Sequence, residues 1–220
     1  AELRSILSEL RLRDLAIGTD GRNRCLLSPF ASTTGRNQPS STKYVFGPAA
    51  WVRSMIKPRP GYSLAYVDWS QQELGIAAAL SGDLAMQSAY QGGDPYIDFA
   101  VRAHLVPPGA TKSSHPRERD VCKACCLGML YGMGEQSLAL STGIDRTRAA
   151  DLIRLHKQTY PVFWKWRNSA VDFAMLRGRI HTTFGWRLAV TRTTNARSLA
   201  NFPMQGNGAE MLRIAICLAH

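Results

Sequence analysis

The sequence predicts an α+β fold, dominated by helices with one small sheet. Three observations carry this expectation. Only two segments read as strands, "YSLAYVDW" at 62–69 and "RIHTTFGWRLAVT" at 179–191. Helical patterns and helix-start signals recur from residue 71 onward. The 220 residues are 45% hydrophobic, enough for one sizeable core or two small ones.

Residues 2 to 16 have helical periodicity, with Leu3, Ile6, Leu7 and Leu10 on one face. "GTDGRNRC" breaks it. "SPFASTTGRNQPSSTKYVFGPAAW" is rich in Ser, Thr, Gly and Pro and reads as an irregular connection. It is a plain linker or, given Arg24, Arg36 and Lys43, a segment that follows a phosphate backbone. "YSLAYVDW", introduced by "KPRPG", is the best strand in the chain. "QQELGIAAALSGD" follows as a helix with a glycine near its end.

Asp94 and Pro95 read as an N-cap and a first-turn proline, opening a helix to about His104. "VPPGATKSSHP" is a loop. Further helices are expected over about Arg117 to Tyr131, Glu135 to Leu140, Arg146 to Tyr160 and Pro161 to Gly178. "RIHTTFGWRLAVT" has two alternating runs joined at Gly185, a hairpin, and "GAEMLRIAICLA" is expected as the last helix.

No apolar run approaches the roughly 20 residues of a membrane span, and "AELRSILSELRLRD" has no signal-peptide core. A soluble intracellular protein is expected. Of five cysteines, Cys122 and Cys125 form a CxxC, but they sit inside a predicted helix with no second pair to complete a zinc site. Reduced core thiols are the expectation.

Lys and Arg number 27 against 16 acids, a net charge of +11. Residues 1–60 carry 10 basic and 4 acidic side chains, 61–110 carry 1 and 5, and 111–220 carry 16 and 7. An acidic island therefore lies between two basic blocks. A basic soluble surface accounts for this; so does a polyanion held by the blocks with a divalent metal at the island.

Within "RDVCKACCLGMLYG", Arg119, Lys123, Leu127 and Tyr131 are spaced by four, and steps of four on a helix drift by only about 40°. They form one slowly winding stripe, cationic at one end and aromatic at the other. It can hold a triphosphate and stack on a base or sugar, or it is a helix with a solvated basic end. Asp68, where the predicted strand turns into a helix, can cap that helix or bind Mg²⁺ with a neighbouring backbone carbonyl. Glu73 lies five residues on.

"DWSQQEL" resembles the first palm motif of family A DNA polymerases, and "RDVCKACCLGMLYG" fits that family's fingers-helix pattern. "TGR" at 34–36, "SGD" at 81–83, "FGWR" at 184–187 and "NFPMQGNGAE" at 201–210 occur in the family's order. The resemblance implies template-directed DNA synthesis by two-metal phosphoryl transfer, with two Mg²⁺ ions, deoxynucleoside triphosphates and primer-template DNA as partners, in the cytoplasm of a bacterial or phage-infected cell.

Residue by residue, the resemblance implies that Asp68, with the Trp69 backbone beside it, ligates the metals. Arg119 and Lys123 neutralise the phosphates, and Lys123 assists pyrophosphate departure. Tyr131 and Gly132 lie by the templating base. Glu73 excludes a ribose 2′ hydroxyl, and Leu127 packs near the sugar. Tyr96 takes the place of a phosphate-contacting His. Arg36, Arg187, Asn201 and Gln205 contact DNA.

The implied architecture is an incomplete right hand, with mainly helical fingers on a small palm sheet. Residues 1–60 would connect into the palm, 61–83 carry the first metal motif, 84–178 form the fingers, and 179–220 form a palm hairpin and helix. The family's third motif, a His-Asp pair with the second metal carboxylate, is not reached before His220. A palm and fingers fragment, inactive alone and completed by the remaining polymerase domains, is therefore expected. Two other readings stay open: a non-catalytic nucleic-acid-binding derivative, and a single-subunit RNA polymerase, against which Glu73 argues. Trp69, Gln72, Gly75, Tyr96 and Leu127 depart from the common pattern, the last in a way that resembles phage-encoded enzymes.

Overall fold

The computed structural model describes residues 17–28, 30–39, 54 and 56–219. The helix expected over residues 2–16, Lys43 and most of the stretch around it lie outside the described residues. The chain divides into two units, Ala1–Trp69 and Ser70–His220.

In the first unit, Gly18 N donates to Arg22 O at 2.9 Å, closing a turn whose Asp20 receives both Arg24 guanidinium nitrogens at 2.8 and 2.6 Å. Strands β1 (Leu27–Ser28) and β2 (Gln38–Pro39) pair antiparallel, Leu27 opposite Pro39. Between them, "TGR" at 34–36 completes a turn in which Gly35 N donates to Ser32 O at 2.9 Å.

The expected strand over 62–69 is not formed: these residues have no regular secondary structure. Their β-prone composition describes how side chains fit a pleated surface, but a strand also needs a neighbour to complete its hydrogen-bond ladder. No strand among the described residues pairs with this stretch. Tyr62, Leu64, Tyr66, Val67 and Trp69 are all exposed, Val67 at 89%.

The second unit holds eight helices and one hairpin among its described residues. Helix α1 (Gln72–Ser81) follows Gln71, a non-glycine residue in the left-handed region at φ 43°. Helix α2 (Leu84–Gln91) has no counterpart among the elements expected from the sequence. Its cap was nevertheless legible: Asp83 Oδ1 accepts from Met86 N at 3.1 Å. Asp83 Oδ2 accepts from Phe163 N at 3.0 Å, in the first turn of helix α7 (Pro161–Arg177). One carboxylate, 2% exposed, thus serves two helix starts. This is the structural use of "SGD".

Helices α3 (Pro95–Arg102), α4 (Pro116–Leu130), α5 (Glu135–Thr142) and α6 (Arg146–Thr159) lie where the sequence places them, within a few residues. Their apolar faces, with α1 and Phe163, bury a core that includes Leu74, Phe99, Cys122, Cys125, Cys126, Met129, Leu138 and Leu152. The CxxC is a core element of free thiols, and burial pushes Cys122 and Cys125 up to about 12. His156 is 1% exposed within an aromatic cluster of Phe99, Tyr160, Phe163 and Trp164. Its Nδ1 accepts from Trp164 Nε1 at 3.1 Å, and burial lowers its pKa to about 3, so the ring is neutral.

Strands β3 (Arg179–His181) and β4 (Arg187–Ala189) form the expected hairpin, with His181 opposite Arg187 and Ile180 opposite Leu188. Ile180 joins Ala174, Leu199 and Phe202 in a second apolar cluster. The last helix, α8 (Ala196–Ala219), begins at Ala196 rather than Gly208 and continues through Pro203. Pro203 has no N–H to donate to the carbonyl four residues back, normally a strong penalty. Burial of Leu199, Phe202 and Met204 outweighs it, and Asn195 caps the start by accepting from Ser198 N at 2.8 Å.

Candidate functional site

The geometry of α4 carries the candidate site. Exposure alternates along its stripe: Arg119 is 8% exposed, Lys123 is exposed, Leu127 is half-buried against the main core, and Tyr131 is 37% exposed. Arg119 is held on three sides. Its Nε donates to Asp94 Oδ2 at 2.7 Å, its Nη1 reaches Asp120 Oδ1 at 3.4 Å, and its guanidinium carbon lies 5.3 Å from the centre of the Tyr96 ring.

Asp94 has a second task. Its Oδ1 accepts from Tyr96 N and Ile97 N at 3.1 and 3.3 Å, so the residue that caps α3 also orients Arg119. The hydrogen bond to Asp94 is the main cause of the raised Arg119 pKa. Tyr96, expected to touch a triphosphate, is 3% exposed and supports Arg119 from below. Burial pushes its hydroxyl up to about 12.

Lys123, one turn along, makes no hydrogen bond or ion pair among the described residues. Two cations on one stripe therefore differ: Arg119 is fixed, and Lys123 is available. The stripe ends in a well-defined stop. Gly132 N donates to Met129 O and Met133 N to Gly128 O at 2.8 Å, a closure that requires a left-handed residue, and Gly132 has φ 69°. This stop fixes Tyr131, whose hydroxyl donates to Glu73 Oε2 on the first turn of α1. The fold thus joins Glu73 and Tyr131 across 58 positions of sequence.

Two residues the sequence reading missed border that turn. A Cβ at position 132 would meet Arg167 Nη2 and Arg197 Cγ, each at 3.2 Å. Arg167 Nε is buried without a hydrogen-bond partner among the described residues, and its guanidinium lies over Trp164. Nothing in the local pattern of α7 distinguishes Arg167 from a solvated arginine. Only the packing of α7 does.

The segment "NFPMQGNGAE" acts as a seam. Asn207 Oδ1 accepts from Thr183 N at 3.0 Å in the hairpin turn, and its Nδ2 donates to Pro203 O at 2.7 Å. A Cβ on Gly206 would lie 2.6 Å from Thr182 Cγ2, and Gln72 Nε2 donates to Gly208 O at 3.3 Å. Small residues here let the hairpin and α1 close on α8. Asn201 and Gln205 are half-buried, and Asn201 Oδ1 has no partner among the described residues. Gly75 has a similar role, since a Cβ there would lie 2.7 Å from the Tyr90 ring.

Asp68, Trp69 and Arg36 belong to the first unit. All three are exposed, and Arg36 has no partner among the described residues. Among the described residues no group of three or more His, Cys, Asp or Glu could hold a metal ion. The donors at the expected metal position are one carboxylate and adjacent backbone. No described helix is long and apolar enough to cross a membrane.

Comparison with known proteins identifies the frame these residues occupy. The family model for DNA polymerase family A matches residues 46–220. DNA polymerase I of Chloroflexus aurantiacus is 30% identical over 178 residues, covering 77% of this chain and 19% of that enzyme. The DNA polymerase of Mycobacterium phage D29 is 28% identical over 205 residues, covering 91% of this chain and 33% of the phage protein. The chain thus spans between about a fifth and a third of these relatives. In fold it is similar to the POL domain of Pol1 from M. smegmatis, solved in complex with DNA primer-template and dNTP. The TM-score is 0.75 at 24% identity, over 97% of this chain and 40% of that one. With a family match across most of its length, the chain belongs to DNA polymerase family A.

Proposed function

We propose that this chain is the nucleotide-selecting part of a DNA-directed DNA polymerase, in which residues 61–83 and 179–220 contribute to the palm and 84–178 form the fingers. The observation that carries the reading is the α4 stripe: a fixed guanidinium, a free ammonium one turn away, and a tyrosine held at the helix stop by Glu73.

In this reading an incoming deoxynucleoside triphosphate lays its phosphates against Arg119 and Lys123. Arg119 is pre-oriented by Asp94, so little reorganisation accompanies binding, and Lys123 supplies mobile charge where negative charge develops on the leaving pyrophosphate. Leu127 faces the sugar, and the Glu73–Tyr131 pair forms a wall that leaves no room for a ribose 2′ hydroxyl. Tyr131 and Gly132 border the templating base. Arg36, Arg187, Asn201 and Gln205 hold primer-template DNA. The expected cofactor is Mg²⁺, held in part by Asp68 and the Trp69 backbone. One carboxylate does not complete a two-ion site.

The 220-residue chain should therefore bind primed DNA and extend it negligibly, while a polymerase containing this segment together with its remaining domains should extend it. In that longer protein Lys123→Ala should lower single-turnover incorporation by about three orders of magnitude. Retained incorporation in Lys123→Ala would sink the assignment. DNA binding without incorporation by the longer wild-type protein would favour a non-catalytic nucleic-acid-binding derivative.

A further inference from the structure

We propose that Tyr90, in the last turn of α2, is a positioning residue for selection at the nucleotide sugar, because it holds the turn from which Glu73 projects. The inference rests on the reading of the Glu73–Tyr131 pair as a wall beside the sugar, and it names what keeps that wall in place.

Helix α1 starts without the usual supports. Its N-cap, Gln71, offers no side-chain cap and lies at φ 43°, a conformation that is costly for a non-glycine residue and persists only where surrounding contacts impose it. Those contacts come from three directions. The Tyr90 hydroxyl donates to Ser70 O at 3.1 Å, Gln72 Nε2 donates to Gly208 O of α8 at 3.3 Å, and Glu73 Oε2 accepts from the Tyr131 hydroxyl at the stop of α4. Only the first of these grips the backbone of the turn. Gln71 O opens the helix ladder by accepting from Leu74 N and Gly75 N at 3.1 Å each, so Ser70 O lies one residue before it. The phenol therefore fixes the peptide unit joining Ser70 to Gln71, whose orientation sets φ at Gln71.

Gly75 makes this bond possible. A Cβ at position 75 would lie 2.7 Å from Tyr90 Cζ, 2.8 Å from its Cε2 and 3.1 Å from its hydroxyl oxygen, so the ring tip crosses α1 through a slot that only glycine leaves. Gly75 sits inside a helix, where glycine is unfavourable, and its backbone is not left-handed. The slot is what glycine supplies there. Glu73 follows the pinned peptide by two residues, and rotation at Gln71 would swing the first turn of α1 and carry the Glu73 carboxylate off Tyr131. Small displacements of this kind decide how a substrate is held.

The test compares deoxynucleotide with ribonucleotide incorporation, as kcat/KM, in a polymerase containing this segment together with its remaining domains. Tyr90→Phe keeps the ring and removes only the hydroxyl; it should lower the preference for deoxynucleotides about fivefold, through a lower KM for the ribonucleotide, with deoxynucleotide efficiency within about twofold of wild type. Gly75→Ala should act in the same direction by displacing the ring. The two combined should do no more than Gly75→Ala alone, since both remove one bond. A merely structural role would lower both efficiencies together and leave their ratio unchanged. In the 220-residue chain, where no catalysis is needed, amide hydrogen exchange at Leu74 and Gly75 should quicken about tenfold in Tyr90→Phe.

Unchanged exchange at Leu74 and Gly75 overturns the positioning itself. Glu73→Ala separates this inference from the reading beneath it. If Glu73→Ala collapses the preference for deoxynucleotides while Tyr90→Phe and Gly75→Ala leave it at the wild-type value, only the role of Tyr90 falls. If Glu73→Ala also leaves the preference unchanged, the wall reading falls and this inference falls with it.

Discussion

Residues 62–69 and helix α4 both carry residues to which the proposed function assigns roles, and they are supported in opposite ways. The stripe on α4 rests on a core of fully buried side chains. Its first cation is fixed by Asp94 and Tyr96, and its last aromatic is set by a glycine stop and Glu73. Asp68 sits at the end of a stretch with no regular structure and five exposed large apolar side chains. The difference teaches that the nucleotide-facing half of the proposed chemistry is self-supporting within these residues. The metal-facing half lacks its own scaffold among them.

The sharpest way to break that comparison is to remove the scaffold on the supported side. Asp83→Ala leaves two buried helix-start N–H groups, Met86 N and Phe163 N, without their acceptor. It should cost about 2–4 kcal/mol in denaturant unfolding, with Asp83→Asn costing less. An unfolding free energy unchanged by Asp83→Ala would mean that α2 and α7 are held by their apolar contacts alone.

A smaller effect is expected from pH. His156 is neutral in the fold with a pKa of about 3, against 6.5 for the free side chain. Below pH 6.5 the unfolded chain takes up a proton that the folded chain refuses, so this contribution to stability is complete above pH 6.5 and declines as pH falls toward 3. The slope approaches about 1.4 kcal/mol per pH unit. Comparing the acid limb of wild type with that of His156→Gln measures it; identical limbs would contradict a neutral buried ring.

The smallest effect belongs to the unsupported stretch. Val67→Thr alters a side chain that is 89% exposed and should change stability by less than about 0.5 kcal/mol. A larger loss would mean that Val67 is packed in solution, and the contrast with α4 would then dissolve.

What the sequence determined by itself lies mostly in local signals. Asp94 before Pro95, the four-residue spacing from Arg119 to Tyr131, Gly132 after Tyr131 and the alternation around Gly185 each fix backbone geometry through a few neighbouring residues. The helices, the hairpin and the stripe were therefore legible. The motif order gave the family, because residues that serve one chemistry keep their order along a chain even when the identities between them drift.

Only the tertiary structure decided what depends on partners distant in sequence. The strand expected at 62–69 needed a ladder that its own residues do not contain. Helix α8 runs through Pro203 because burial of Leu199, Phe202 and Met204 exceeds the cost of one missing N–H. Gln71 turns left-handed, without the glycine that usually signals it, between the irregular stretch and α1. Arg119 and Lys123 look equivalent in the sequence, and contact with Asp94, Asp120 and Tyr96 makes one a fixed guanidinium and leaves the other free. Hydrogen-bond partners and burial are properties of pairs of segments, and a linear pattern records only one member of each pair.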